Sequence, residues 1–469
     1  VISCNGVTCK SGEYCSNGVC LLNVTGKTYF VATNGNDASS GNFTNPWKTW
    51  QKAFNTADAG DIVYFRGGVW YPTESLIIAP RELPGEWGGS YYGNMGTAEN
   101  PIRYYNYPGE TPIIDGRNHI SENYPSVMYF FGAAYVEFKG ITVRNLPQQP
   151  TSWMAIGIGC SCCSNFKFEN MIVHDIGGRG YSWFSCMGYY GITEDTNIWI
   201  NSDTYNCKDP YSPEPGNGGD CFKIVNEAGA YSIFQGCRAW NCSDDGYDLS
   251  GPNTVIVNNS WSFLNGFPGA LDGNGFKSGG VNVEVSYPTR IITNNIAANN
   301  TGYGYFDLEY DDLHRNNARI YNNLFYSSGT GILISDNPNY DRTLSVYRNN
   351  IVYIARNLDS TNRPSIIDAP FYYTESNNNW DMVDMGSSSW WDYADDITVT
   401  NSDFVSLDVY QLMRPRKADG SLPDVEFGRL TQGSDLIDAG TQIPSGDNSG
   451  IVLSYSGSAP DLGPFESNY

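Results

Sequence analysis

From Tyr135 onward the chain repeats one phrase of apolar and polar positions: YVEFKGITVRN, NFKFENMIVHD, NIWINSDTYNC, YSIFQGCRAWNC, TVIVNNSWSFLN, TRIITNNIAANN, ARIYNNLFYSS and LSVYRNNIVYI. In each, apolar residues alternate with polar ones, break at a small polar turn, and resume. That pattern predicts a strand, a turn and a second strand. The turn falls at Gly140, Asn170, Asn201, Gly236, Asn259, Asn295, Asn323 and Asn350. Gly and Asn suit a left-handed backbone, and stacked Asn side chains can hydrogen-bond along a ladder. The interval of roughly 23 to 36 residues is that of a repeat architecture, whereas a propeller needs ~40 or more with four strands per blade. Two or three short strands per period fit one turn of a coil. The expected fold is all-β, a right-handed parallel β-helix, or solenoid, with its handedness taken from the crossover rule.

Upstream, YFVAT, DIVYFRGG, PIRYYNY and PIIDG alternate like strands, and between the first two lies NPWKTWQKAFNTADAGD. There Trp47, Trp50, Phe54 and Ala57 recur at helical spacing between a turn at Asn45-Pro46 and a stop at Gly60, which predicts a short amphipathic helix. Placed over the first coil, such a helix would blunt an open edge of the stack. The expected layout is a cysteine-rich module over 1–26 and a β-helix over 27–469. The β-helix divides into a cap and first coils (27–115), central coils with the site (116–400) and a C-terminal coil or tail (401–469).

Twelve cysteines fit an oxidising compartment. Cys4, Cys9, Cys15 and Cys20 form a tight glycine-rich group expected to hold two internal disulfides. Cys160, Cys162, Cys163, Cys186, Cys207, Cys221, Cys237 and Cys242 share the middle section, where pairing between neighbouring layers is expected. Sequons stand at Asn23, Asn42, Asn241, Asn258 and Asn299. The sequence opens at Val1 without an apolar leader, as a processed chain would, and no stretch is apolar enough to span a bilayer. With 27 basic against 50 acidic residues the net charge is -23, which argues against nucleic acid and anionic membranes as partners. Rich in Tyr, Trp, Gly and Asn, the chain has the usage of a secreted, extracellular carbohydrate-handling protein, expected to act as a monomer.

The candidate chemistry is concentrated between Gly219 and Gly280, in GGDCFKIV, NCSDDGYDLSG and GNGFKSGG. Asp220, Asp244, Asp245, Asp248 and Lys277 stand there among glycines and aromatics. A regular strand sends Asp244 and Asp245 to opposite faces, but a bend at Gly246 lets them converge. Asp220 precedes Asp244 by 24 positions, about one coil, so the two should stack on adjacent layers about 4.8 Å apart. Lys277 follows one coil later. Loop carboxylates in irregular array suit Ca2+ better than magnesium.

These residues resemble polysaccharide lyase family 9, the calcium-dependent pectate lyases on a parallel β-helix. The resemblance lies in the SDDGYDL aspartates, the aspartate one coil earlier and the lysine of GNGFKSGG. It extends to YFVATNGND…GDIVYFRGG and to GSDLIDAG…GSAPDLGPFE. It implies that Asp220, Asp244, Asp245 and Asp248 bind calcium, that Lys277 is the catalytic base, and that the substrate is an acidic polysaccharide. Cys221 stands where the family would have glycine.

The chemistry is coherent on its own terms. Removing the C5 hydrogen of a uronate builds negative charge on the adjacent carboxylate, and a cation held there would offset it. The base must be neutral part of the time, which calcium and a dry groove both favour. Lys223 is a rival base and, with Arg238, Arg315 and Tyr305, a candidate substrate-binding residue. Arg179 could also clamp a sugar carboxylate. Trp153, Trp183, Tyr189 and Tyr190 are candidate groove aromatics. Asp307, Glu309, Asp311 and Asp312 read as an acidic loop face. Of the histidines His119, His174 and His314, His174 reads as a turn residue bonded to Asp175. Two alternatives compete: a polygalacturonase-type hydrolase, which shares a D-C-x-x-K pattern at Asp220 but lacks here the GHG motif of that family, and a non-catalytic polysaccharide-binding surface protein with structural calcium.

Overall fold

The computed structural model describes residues 3–80, 93–120, 125–150, 152–186, 194–251, 253–266, 272–279, 290–308, 317–334, 345–353, 366–367, 374–379, 397–444 and 454–468. Arg315, His314, Glu309, Asp311, Asp312, Tyr189 and Tyr190 lie outside these residues.

The alternation read from the sequence becomes three parallel sheets. Ala134–Lys139 buries Ala134, Val136 and Phe138 and turns Tyr135, Glu137 and Lys139 outward. Thr142–Leu146 and Ala155–Ser161 follow in a second and a third sheet, and the next coil repeats the circuit with Ser164–Glu169, Ile172–Ile176 and Gly178–Phe184. Among the described residues the three sheets hold twelve, ten and ten strands, so the chain is a parallel β-helix. Equivalent inward residues meet along the axis: Phe138 stacks on Phe168 at 5.6 Å, Phe168 on Trp199 at 5.7 Å, and Trp199 on Phe234 at 4.7 Å between ring centroids. Each ring buried in this column contributes roughly 2–3 kcal/mol of transfer free energy.

The turns explain the Asn and Gly repeat, with one correction. Gly140, Asn170, Asn201, Gly236 and Asn259 have positive φ as expected, but in the later coils the left-handed residues are Asn294, Asn322 and Asn349, each one position earlier than expected. The second Asn of each pair has another task. Asn295 donates to Asn323 Oδ1 (3.1 Å), Asn323 to Asn350 Oδ1 (2.9 Å) and Asn350 to Asn378 Oδ1 (3.0 Å), and each also donates to a backbone carbonyl of the preceding coil. A buried amide can be satisfied this way only where layers repeat in register.

The helix spans Trp50–Thr56 and begins later than its apolar spacing indicated, because the Thr49 side chain accepts from Lys52 N and sets the start there. Trp47 instead forms a bridge with Val31. Trp50 stacks on Phe65 at 3.5 Å and Phe54 meets Tyr104 edge-on at 4.9 Å, so the helix covers the core at the first coils.

Cys4–Cys15 and Cys9–Cys20 close the N-terminal module as expected. Its Leu21 packs with Phe30, Ile62, Tyr64 and Tyr107 on the outside of the first sheet. Cys162–Cys186 and Cys221–Cys242 join neighbouring layers as expected, whereas Cys160–Cys163 closes within the turn of one coil and Cys207 and Cys237 are buried free thiols. Downstream, Phe404, Leu412, Val425, Phe427, Leu436 and Leu462 pack on Trp261, Phe263, Ile296, Leu324 and Ile351 along the second sheet. Arg238 belongs to this contact, not to a substrate groove. It is buried in a fork on Asp203 (2.8 and 2.6 Å) and donates to the carbonyls of Leu412 and Arg414. Of the sequons, Asn23, Asn42 and Asn241 are exposed, whereas Asn258 is tied into side-chain bonds with Gln235, Thr293 and Asn294.

Candidate active site

Three consecutive strands of the third sheet carry the site: Phe222–Val225, Tyr247–Ser250 and Phe276–Gly279. Their inward rings Phe222, Tyr247 and Phe276 stack with centroids 5.0 Å apart. Because side chains alternate, the next residue of each strand must face out. Those residues are Lys223, Asp248 and Lys277, and they are direct neighbours in one lateral row. The core stack therefore sets the spacing of the charged groups above it.

The other aspartates enter from the turn just before the strands. Cys221 N donates to the Asp245 carbonyl at 2.9 Å and Phe222 N to Gly246 at 3.1 Å, which puts Asp220 in line with Asp245. The sequence had paired it with Asp244. Gly246 is needed here for room rather than for a special φ, since a Cβ would sit 2.0 Å from Ser262 Oγ. Oxygens of Asp220, Asp245 and Asp248 lie within 4.8 Å of one another, and Asp244 lines the same pocket. Cys221–Cys242 joins the coil of Asp220 to that of Asp244, which accounts for a cysteine at that position.

Asn274 is a residue that sequence reasoning missed. Its backbone N (2.8 Å) and side-chain amide (2.7 Å) both donate to Asp245 Oδ1, which leaves Oδ2 to face Lys277. The signal lay in GNGFKSGG, read only for its lysine. Lys277 Nζ stands 3.1 Å from Asp245 Oδ2 and 3.7 Å from Asp248 Oδ2, Lys223 Nζ donates to Asp248 Oδ2, and Arg179 Nε lies 3.3 Å from Asp220 Oδ2. Arg179, Asp220, Lys223, Asp244, Asp248 and Lys277, with Asn217, Asp272 and Phe306, line a pocket of about 280 Å³.

The charges are strongly coupled. Burial drives Asp245 up to about 7 despite Lys277, and raises Asp220 and Asp244 as well. Burial would raise Asp248 too, but Lys223 and Lys277 on either side hold it down at about 2. Lys277 is held above its ordinary value: burial favours the neutral amine, but Asp245, Asp248, Asp244 and Asp220 together outweigh it. Burial alone therefore does not give the part-neutral base the chemistry calls for. Among the described residues Asp220 Oδ1, Asp244 Oδ1 and Asp245 Oδ2 are buried and accept no hydrogen bond. Hard oxygen donors left unsatisfied around one pocket are a donor set that fits a divalent cation.

Several candidates fall elsewhere. Tyr305 is fully buried and bonds Ser278 Oγ (2.7 Å), because alternation sends Phe306, not Tyr305, to the position beside Lys277. Asp307, expected on a loop, is buried within the strand Tyr303–Leu308. Trp183 is a core residue, while Trp153 is exposed. His119 is buried against Ser75, and His174 pairs with Asp175 at 2.6 Å as expected but from within the strand Ile172–Ile176, not from a turn.

The family described as Pel9A-like, right handed beta helix region matches residues 29–340, a span that contains every residue of this site. The chain belongs to this Pel9A-like family. Pectate lyase L of Dickeya dadantii is 29% identical over 97% of this chain and 94% of its own, and pectate lyase PEL9 of Emericella nidulans is 24% identical over 87% and 93%. The crystal structure of pectate lyase Pel9A superposes with a TM-score of 0.68 at 27% identity, covering 95% of this chain and 97% of that one. The resemblance to polysaccharide lyase family 9 and the right-handed β-helix are borne out, and this Pel9A-like chain is a polysaccharide lyase.

Proposed function

We propose that this Pel9A-like protein is a secreted, calcium-dependent lyase that cleaves a 4-linked uronate polymer of the pectate type by β-elimination, with Lys277 as the base. The observation that carries the reading is the meeting of Lys277 Nζ with buried carboxylates of the two preceding layers beside one open pocket. Asp220, Asp244, Asp245 and Asp248 would hold the ion. Bound there, calcium would neutralise the aspartates that keep Lys277 protonated and the substrate carboxylate whose charge grows as C5 loses its proton.

The residues of the chain do the rest. Asn274 fixes Asp245, and Lys223 fixes Asp248, so the donor set is aimed before substrate arrives. Arg179 and Lys223, both lining the pocket, present cations to the uronate carboxylate. Lys277 Nζ takes the C5 proton, the C–H electron pair becomes the C4–C5 double bond, and the C4–O bond breaks. The leaving sugar keeps its oxygen as a hydroxyl after taking a proton from water. Five disulfides suit an extracellular enzyme, and no helix of the described residues is long and apolar enough to cross a membrane.

The test is to incubate the protein with polygalacturonate, rhamnogalacturonan, glucuronan and alginate, with calcium or with excess chelator, and follow ultraviolet absorbance of unsaturated uronate. Absorbance that rises only with calcium and foremost on polygalacturonate supports the reading. New reducing ends without that absorbance would show hydrolysis instead.

A further inference from the structure

The outward row that carries Lys223, Asp248 and Lys277 does not stop at the pocket. Toward the N-terminal coils it continues through Ser182 and Gly159 to Tyr129. The Tyr129 ring packs against Gly159, where a Cβ would come within 2.5 Å of ring carbons Cδ2 and Cε2. Two residues along the same strands runs a parallel row of Phe131, Ser161 and Phe184. Tyr129 and Phe131 rings touch at 4.5 Å, and Tyr129 Oη bonds Ser161 Oγ at 2.9 Å. Phe184 is 51% exposed in a strand that is paired on both sides.

An uncovered phenylalanine at this position is not explained by the core, whose inward residue in the same strand is Trp183. It is rigidly presented. Its carbonyl accepts from Cys162 N at 2.8 Å, and the Cys162–Cys186 disulfide closes the strand two residues beyond it. We infer that Phe184, with Phe131 and Tyr129, is a second binding surface, a stacking platform for sugar residues of the polymer remote from the bond being cleaved. This rests on the lyase reading above and assigns the groove its direction.

Three points select that occupant. Phe184 lies three strands from the strand of Lys277, about 14 Å along the axis at the layer spacing of a sheet. A pyranose in a 4-linked chain advances by a similar length per residue, so a polymer lying on this sheet meets one layer per sugar. With a net charge of -23 the chain gives an acidic polymer no overall electrostatic attraction, and even the pocket sets Arg179, Lys223 and Lys277 among Asp220, Asp244, Asp248 and Asp272. Contact away from the pocket must then come from uncharged surface, and the C–H face of a pyranose ring fits the face of an aromatic side chain. The carboxylates of the stacked sugars stay in water.

The test uses Phe184→Ala and Phe184→Tyr in the full chain with calcium. A trimer cleaved at Lys277 extends at most two sugars to one side and falls short of Phe184. With Phe184→Ala, KM for polygalacturonate should rise roughly fivefold to tenfold with kcat unchanged, while both constants for trigalacturonate stay the same and Phe184→Tyr restores the polymer KM. An unchanged polymer KM, or an equal change on the trimer, overturns the platform. If the protein forms no unsaturated product from any polymer, the lyase reading fails separately. The platform is then judged by electrophoresis through gels cast with polygalacturonate, in a Lys277→Met background. Weaker retardation after adding Phe184→Ala supports it, and equal retardation overturns it.

Discussion

Lys277 Nζ lies 3.1 Å from Asp245 Oδ2, an oxygen that accepts no hydrogen bond of good geometry within the described chain. The pair joins the proposed base to the proposed metal cradle, and the two roles can be separated by substitution. Lys277→Met should lower kcat on polygalacturonate by about a hundred- to ten-thousandfold, the range for loss of a general base. Calcium binding, followed by calorimetry, should persist, because removing the ammonium removes a competitor for the carboxylates.

Asn274→Ala should act on the metal rather than on the proton. It deletes the amide bond to Asp245 Oδ1 while leaving the backbone bond in place. Calcium affinity should fall about tenfold or more, the usual cost of losing a partner that orients a ligand. Raised calcium should restore activity, and a variant that stays slow at saturating calcium would argue for a different role.

The asparagine ladder predicts a stability effect without a catalytic one. Asn323→Ala leaves Asn295 and Asn350 each short of a buried partner. Unfolding free energy should drop by about 3 kcal/mol, read by urea denaturation. KM and kcat of the folded fraction should not move.

Asp195 gives a pH dependence away from the site. Burial pushes its carboxyl from 3.8 up to about 6, even though Asn165 N and Asn197 Nδ2 donate to it. The folded chain therefore holds this proton where the unfolded chain has lost it. The stabilising contribution is complete at low pH and disappears as pH rises through about 6. Asp195→Asn should remove that loss, so the melting temperature of the variant relative to the parent should be more favourable at about pH 8 than at about pH 4. An identical difference at both values would count against a buried, proton-holding Asp195.

Much of this was legible in the sequence because solenoid repeats leave a periodic trace. The strand-turn-strand phrases gave the coil, and SDDGYDL with GNGFKSGG gave the residues of the site. What failed did so at the scale of one residue. Tyr305 and Phe306 are both aromatic, and only the phase of the strand decides which faces the pocket. Asn294 and Asn295 look equivalent in a sequence, yet one makes the turn and the other the ladder. Asp220 was aligned with Asp244 rather than Asp245 because the coil length is 25 residues here, one more than the spacing used. Arg238 looked available because its partner carbonyls at Leu412 and Arg414 are far away in the chain.

The site draws on three successive rungs whose mutual offsets come from the stacked rings beneath them. An extra rung inserted between Phe222 and Phe276 would pull the charged row apart, whereas rungs added before Tyr129 would only lengthen the path a polymer follows. The length of the spiral can therefore change at its ends without disturbing the spacing of Lys223, Asp248 and Lys277 in its middle.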